Sequence, residues 1–349
     1  MKKRFTQVAL VTCTALCASM LPTAAVPMSA EAATKNVVVC IDPGHGGSNL
    51  GAQYNDLQEK DLTLQIANAM YAELTKYEGV TVVMTRTTDA ELSLSDRAQI
   101  AKNNQADFLY SIHLNASSEH NLYGSEVWTS GFGEMYAKGQ AFGKIETAEL
   151  SSQIGVYTRG VKTKLSEASN MSRDYYGVIS AATSLNVPSV IIEHCYMDEA
   201  HDTGFYMEEG DLEAFGKADA TAVAKYFGLK STALGVDYST YVKEEVAAPA
   251  LPVAQDLTPP ETAAITVTQY DAATRTAKLH VLAKDSGSPI IYYSYSTDSG
   301  ASWSVLCGWT ANGEGDISVV LPENSNGTIT LAVYNNYDLC TISNTVTVY

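Results

Sequence analysis

The sequence predicts an α/β fold, a mostly parallel sheet covered by helices on both faces, followed by a C-terminal all-β sandwich. Three observations carry this. The runs Val37–Ile41, Phe108–Ile112 and Val190–Ile192 are apolar without polar alternation, the pattern of strands buried on both faces of a parallel sheet. Segments with helical recurrence separate them, so strand and helix alternate along the chain. Beyond residue 262, seven short runs with turn clusters between them fit into fewer than 90 residues, as in an antiparallel sandwich.

Taken in order, Lys2, Lys3 and Arg4 precede an apolar stretch from Val8 to Leu21 and a small-x-small pattern at Ala30-Glu31-Ala32. This predicts a secretory signal peptide over residues 1–32 and a mature start at Ala33. The stretch is shorter than the roughly 20 residues a spanning helix needs, so no membrane span is expected after its removal. The first strand ends at Asp42-Pro43-Gly44-His45-Gly46-Gly47. Glu59-Lys60-Asp61 opens a helix whose Leu62, Ile66, Met70 and Leu74 recur every four residues and mark one face. A strand over 80–85, a helix from Leu94 to Asn103 and the strand ending at His113 follow. Next come a short strand around Glu126-Val127-Trp128, helical segments over 134–155 and 174–185, and the strand ending at Glu193. A helix from Leu212 to Tyr226 closes the first domain, residues 33–229. Pro249, Pro252, Pro259 and Pro260 mark residues 230–262 as an extended linker. Residues 263–349 form an Ig-like accessory sandwich. Its expected strands are Ile265–Tyr270, Lys278–Ala283, Ile290–Ser296, Trp303–Leu306, Ile317–Leu321, Ile329–Tyr334 and Thr341–Val348.

Cleavage after residue 32 removes three of 22 basic and one of 39 acidic residues, leaving 19 against 38 and a net charge of −19. Nucleic-acid binding, which needs a basic face, is not expected. Cys40, Cys195, Cys307 and Cys340 remain in the mature chain, far below the density of a disulfide scaffold. Cys40 and Cys195 read as small buried apolar residues, whereas Cys307 and Cys340 are candidates to pair.

Four polar residues stand where buried elements end or a helix begins: His45, Glu59, His113 and Glu193. In open α/β sheets the ligand site lies beyond the carboxyl ends of the strands. A hydrolytic zinc ion takes three ligands from His, Asp and Glu and keeps a fourth position open, and His45, Glu59 and His113 supply such a set. Taken alone, Glu59 equally reads as a carboxylate stabilising a helix N-terminus, and His113 as a hydrogen-bonded core residue. Glu193 ends the most apolar strand, where a carboxylate is costly without a partner or a task. A general base is one such task; an ion pair with Arg86 or Arg97 is the structural alternative. No His-Glu-x-x-His motif is present, which disfavours a zincin peptidase. Trp303, Trp309, Tyr292, Tyr293 and Tyr295 read as sandwich core in preference to sugar-stacking residues.

Several blocks now carry a resemblance: Val38–Gly47, Glu59-Lys60, Thr85–Asp89, Leu94–Arg97, Ser111–Ala116, Gly124–Val127 and Val187–Glu193. In this order and spacing they resemble the zinc-dependent N-acetylmuramoyl-L-alanine amidases of the type-3 family over residues 36–229. The resemblance implies one zinc ion bound by His45, Glu59 and His113, with Glu193 as the catalytic carboxylate. It implies peptidoglycan as substrate and the amide between N-acetylmuramic acid and L-alanine as the bond cut, in a secreted, cell-wall-associated enzyme. The segment after Glu193 departs from the family: His194-Cys195-Tyr196-Met197-Asp198 replaces a small residue followed by Phe and Asn. Strand alternation puts His194 on the face opposite Glu193, in a supporting or packing role. Two other readings remain at this point. One is a non-catalytic wall-binding protein or amidase regulator that keeps the fold; the other is a zinc peptidase acting on the stem peptide. The sandwich is a candidate wall or protein contact.

Overall fold

The protein is described by a computed structural model covering residues 36–311 and 313–349; the expected signal peptide lies outside the described residues. The strands and main helices of the first domain are β1 (Val37–Pro43), α1 (Glu59–Leu74), β2 (Val80–Met84), α2 (Leu94–Asn103), β3 (Phe108–Asn115), β4 (Ser125–Thr129), α3 (Gly133–Glu149), β5 (Thr158–Thr163), α4 (Gly177–Ser184), β6 (Ser189–Tyr196) and α5 (Asp211–Phe227). Its sheet has the order β2-β1-β3-β6-β4-β5. Every neighbouring pair is parallel except β4 against β6.

The two-residue period of a strand divides each buried run between two cores. Val39, Ile41, Phe108, Tyr110, Ile112, Val190 and Ile192 pack with residues of α1, α3 and α5. Cys40, Leu109 and Ile191 pack on the other side with Ala98 and Ala101 of α2 and Val178 and Ile179 of α4. Each large side chain buried in this way contributes about 1.5–3 kcal/mol. The α1 positions expected to form one face, Leu62, Ile66, Met70 and Leu74, are all buried. Gly216 lets α5 lie close against that helix: a Cβ there would stand 2.5 Å from the Ile66 carbonyl oxygen. α3 packs against α5 and the β4–β5 side of the sheet. Its successor, Leu150–Ile154, is one π-helical turn.

One irregularity matters for the site. Along β3 and β6, His113 pairs with Glu193 but Asn115 with Tyr196, so β6 carries one residue more than its partner. Such a bulge breaks the ladder locally and re-aims the side chains around it.

The C-terminal strands are β7 (Thr262–Asp271), β8 (Thr276–Lys284), β9 (Ile290–Ser296), β10 (Cys307–Gly308), β11 (Glu314–Val320), β12 (Thr328–Asn335), β13 (Cys340–Ile342) and β14 (Val346–Thr347). They form two antiparallel sheets, β7-β8-β11 and β10-β9-β12-β13, with β14 also on β12. Two expected strands differ. Trp303–Leu306 precedes β10 because the Asp298 carboxylate accepts hydrogen bonds from Ser302 N and Oγ at 2.9 and 2.6 Å, which holds the preceding segment in a turn. The run Thr341–Val348 is split into β13 and β14, both paired with β12. Cys307 and Cys340 are both free. They lie on the two outer strands of a four-strand path, about 14 Å apart at normal strand spacing, beyond the reach of a disulfide.

Residues 230–262 contain only the short ribbon Lys230–Ser231 with Val236–Asp237 before β7 begins, and they are tied to the first domain. Val253 N donates to Gly131 O at 2.8 Å, Leu165 N to Gln255 Oε1 at 2.9 Å, and Lys243 Nζ to Tyr226 O at 3.1 Å. Residues 36–349 cluster as one unit. No helix among the described residues is long and apolar enough to cross a membrane.

Candidate metal centre

The four candidates are brought together at the carboxyl ends of β1, β3 and β6. Donor atoms of His45, Glu59 and His113 lie within 4.8 Å of one another. Glu59, nearly buried at the first position of α1, stands between the imidazoles: Oε2 is 3.0 Å from His45 Nε2, and Oε1 is 2.9 Å from His113 Nδ1. Two backbone amides, Ala52 N at 2.8 Å and Leu114 N at 3.2 Å, also donate to it. Burial alone would raise its pKa, yet the close contacts with the His113 and then the His45 imidazole hold the carboxyl well below the usual range. Burial likewise works to lower the His45 pKa, and the Glu59 carboxylate overrides it and raises the value.

The surrounding hydrogen bonds fix which nitrogen of each ring faces inward. Asp42 is fully buried and its Oδ2 accepts from Ser111 Oγ at 2.7 Å. With its proton committed there, Ser111 Oγ accepts from His113 Nε2 at 3.2 Å, so the Nδ1 lone pair of His113 turns toward Glu59. His45 Nδ1 donates to Asn49 Oδ1 at 2.9 Å, leaving Nε2 toward the same carboxylate. Two imidazole lone pairs and a carboxylate converging in this way repel one another unless a proton or a cation lies among them. The donor set therefore fits a bound metal ion.

The loop after β1 is pinned by two guanidiniums. Arg97 pairs with Asp42 Oδ1 at 2.7 Å and donates to the Pro43 and His45 carbonyls at 2.7 and 2.5 Å. Arg86 makes no such ion pair; it donates to the carbonyls of Pro43, Gly44 and Lys60 at 3.0, 2.8 and 2.8 Å. These two guanidiniums hold His45 at φ 60°, a left-handed conformation that a non-glycine residue adopts at a cost. Gly44 makes room for the second imidazole: a Cβ there would meet the His113 ring at 2.3 Å.

Glu193 sits on β6 between His113 of β3 and Glu126 of β4. Neither Arg86 nor Arg97 bonds to it. Its Oε2 is buried and has no hydrogen-bond partner among the described residues. Burial, then Glu59 and Glu126, push its pKa well above the usual carboxylate range. His194 faces the other side of the sheet, as alternation requires. It is fully buried, with Nε2 3.0 Å from Asp219 Oδ1 and Nδ1 donating to the His113 carbonyl at 2.9 Å. The ring thus supplies a partner to the carbonyl at the β-bulge.

The reading of the sequence missed Asp42, Asn49, Ser111 and Glu126. Asp42 carried the same signal as Glu193, a carboxylate at the end of an apolar strand. Glu126 accepts from Asn115 Nδ2 and Trp128 Nε1 on one oxygen and from Arg159 Nε at 2.6 Å on the other, which also lies 2.5 Å from Lys162 Nζ. Burial alone would raise its pKa, but Lys162 and Arg159 bring it down from 4.5 to about 2. A pKa lowered by folding contributes stability that is complete above the unfolded value and is lost as pH falls toward the folded one. The expected loss is about 3 kcal/mol between pH 4.5 and pH 2. It is read from urea midpoints across that window, and Glu126→Gln should remove this share of the acid sensitivity.

Residues 39–225, more than half of the chain, match the N-acetylmuramoyl-L-alanine amidase family. The chain belongs to this family. The sporulation-specific N-acetylmuramoyl-L-alanine amidase of Bacillus subtilis (strain 168) is 32% identical over 56% of this chain and 70% of its own length. The amidase CwlM of Bacillus licheniformis is 30% identical over 56% of this chain and 71% of its own. Among solved structures, Cwp6 from Clostridium difficile aligns with a TM-score of 0.50 and 27% identity, over 55% of this chain and 29% of that one. The amidase match ends before the sandwich. None of the α3 residues lines the cavity at His45 and His113 or the cavity at Glu126 and Trp128.

Proposed function

We propose that this amidase is a secreted, cell-wall-associated hydrolase that uses one zinc ion held by His45, Glu59 and His113, with Glu193 as the catalytic carboxylate. The bond cut is the amide between N-acetylmuramic acid and the L-alanine of the peptidoglycan stem. The convergence of the three donor groups within 4.8 Å carries the reading, because two imidazoles and one carboxylate suit zinc and leave a coordination position open. Export is supported by the charged and apolar pattern of residues 1–32.

When bound, the ion would supply Lewis-acid polarisation of the amide carbonyl and make water acidic near neutral pH. Glu193, with an unpartnered oxygen, takes the proton from the attacking water. As the carbon–nitrogen bond breaks it returns that proton to the alanine nitrogen, which leaves as an amine. Burial and neighbouring carboxylates favour its protonated form and so favour uptake of the water proton. Asn49 and Ser111 keep the two imidazoles in the tautomers that present lone pairs to the ion.

The test is product identification with purified residues 33–349. Peptidoglycan should yield new alanine amino groups and intact stem peptides by mass spectrometry, a chelator should abolish the release, and zinc should restore it. New reducing sugar ends, or cuts within the stem, would refute the assignment. Wall binding without zinc after metal-replete purification would favour a non-catalytic role.

A further inference from the structure

The sandwich does more than follow the amidase domain in sequence. Arg159 is fully buried, and while its Nε holds Glu126, its Nη2 donates to both carboxylate oxygens of Asp338 at 2.8 Å. Lys162 Nζ donates to Asn336 O at 2.8 Å, and Tyr337 Oη donates to Thr163 O at 3.0 Å. Tyr292 Oη donates to Tyr123 O. Two charge-assisted bonds and two from phenol hydroxyls fix one surface against the other.

Between these surfaces lies a cleft of about 410 Å³, within the usual range for ligand sites. Its amidase wall includes Glu126, Trp128 and Lys164; its far wall is Leu257 of the linker with Tyr337 and Leu339 of the sandwich. Glu126 on the cleft wall is the cross-strand partner of Glu193, so the cleft lies one strand away from the carboxylate assigned to proton transfer.

Chemistry sets which part of the substrate lies there. Glu193 hands its proton to the leaving amine, so the peptide departs on the Glu193 side of the ligand set, toward the neighbouring strand whose Glu126 and Trp128 line the cleft. Of the two lysines in the cleft, Lys162 is taken up by Glu126. Lys164 has its ammonium 4.0 Å from the centre of the Tyr175 ring and forms no salt bridge with any described residue. An ammonium held by a ring face and lacking a carboxylate is suited to bind one from a ligand.

We propose that this interdomain cleft is the subsite for the peptide stem, and that Lys164 selects stems carrying free carboxylates. The proposal rests on the amidase reading with Glu193 as proton carrier. The test uses the full mature chain and two substrates, N-acetylmuramoyl-pentapeptide with its stem carboxylates free and the same compound with them amidated. For wild type, amidation should raise KM about tenfold with kcat little changed. Lys164→Ala should raise KM about tenfold on the free form and leave the amidated form unaffected, and Lys164→Arg should restore most of the loss. An equal effect of Lys164→Ala on both substrates, or no effect on either, overturns the proposal. If wild type hydrolyses neither substrate, the amidase reading fails and calorimetry with free stem peptide decides the cleft alone. Binding that Lys164→Ala weakens about tenfold supports the subsite; equal binding by both proteins, or none by either, overturns it.

Discussion

Glu193→Gln should lower kcat on peptidoglycan by about 10³-fold while leaving bound zinc at the wild-type level. The substitution keeps the shape of the side chain and removes its ability to accept the water proton. The environment makes a structural explanation improbable in advance: Oε2 has no hydrogen-bond partner among the described residues, and the neighbouring charges that act most on the group are Glu59 and Glu126. Replacing such a group with a neutral amide relieves repulsion, so folding stability should be equal to wild type or higher. Turnover, zinc content and thermal unfolding measured on one preparation separate the roles. Loss of zinc would make Glu193 a ligand, and loss of stability would make it a structural carboxylate; either outcome removes it from proton transfer.

Glu59→Ala should behave in the opposite way. Zinc affinity should fall by more than about 100-fold, and activity at limiting zinc should fall with it. This carboxylate bridges both imidazoles and accepts from the backbone of the β1–α1 loop and of β3. Its removal therefore also leaves two amides without their acceptor, at about 1–3 kcal/mol each where water cannot replace it. Competition with a metallochromic chelator reads the affinity, and urea unfolding of the metal-free protein reads the second term. Retention of wild-type zinc affinity by the folded variant would show that Glu59 is a helix-terminus carboxylate after all.

The amidase fold was legible because its sheet is built from runs that are apolar on both sides, and such runs have few alternatives. The parallel core and both helix layers follow from Val37–Ile41, Phe108–Ile112 and Val190–Ile192 together with the spacing of Leu62, Ile66, Met70 and Leu74. Of the four candidates, His45, His113 and Glu193 were legible for the same reason, as polar residues at or just beyond the ends of those runs, whereas Glu59 opens a helix and was legible only through the family resemblance. Asn49 and Ser111 were not, since their roles depend on which imidazole nitrogen they touch, and sequence spacing carries no such information. The docking of the sandwich was hidden as well. Tyr292 reads as one more core residue of a strand, yet it packs with Tyr123 and Tyr157 of the amidase domain. Arg159 and Lys162 look like ordinary surface charges on a short strand until their partners, some 170 positions further on, are in place.

The reversed direction of β4 has a consequence for how the rim around His113 and Glu193 can vary. In an all-parallel sheet only the segments leaving the strands reach the active edge. Here β3 and β6 end and β4 begins at the same edge, so the segment from Ala116 to Gly124 both leaves the sheet and re-enters it there, as an inbound loop as well as an outbound one. Insertions in that inbound loop can remodel access to Glu193 without changing the length of any strand or the order of the sheet. Lengthening that one surface loop would leave His113 and Glu193 in register on their strands.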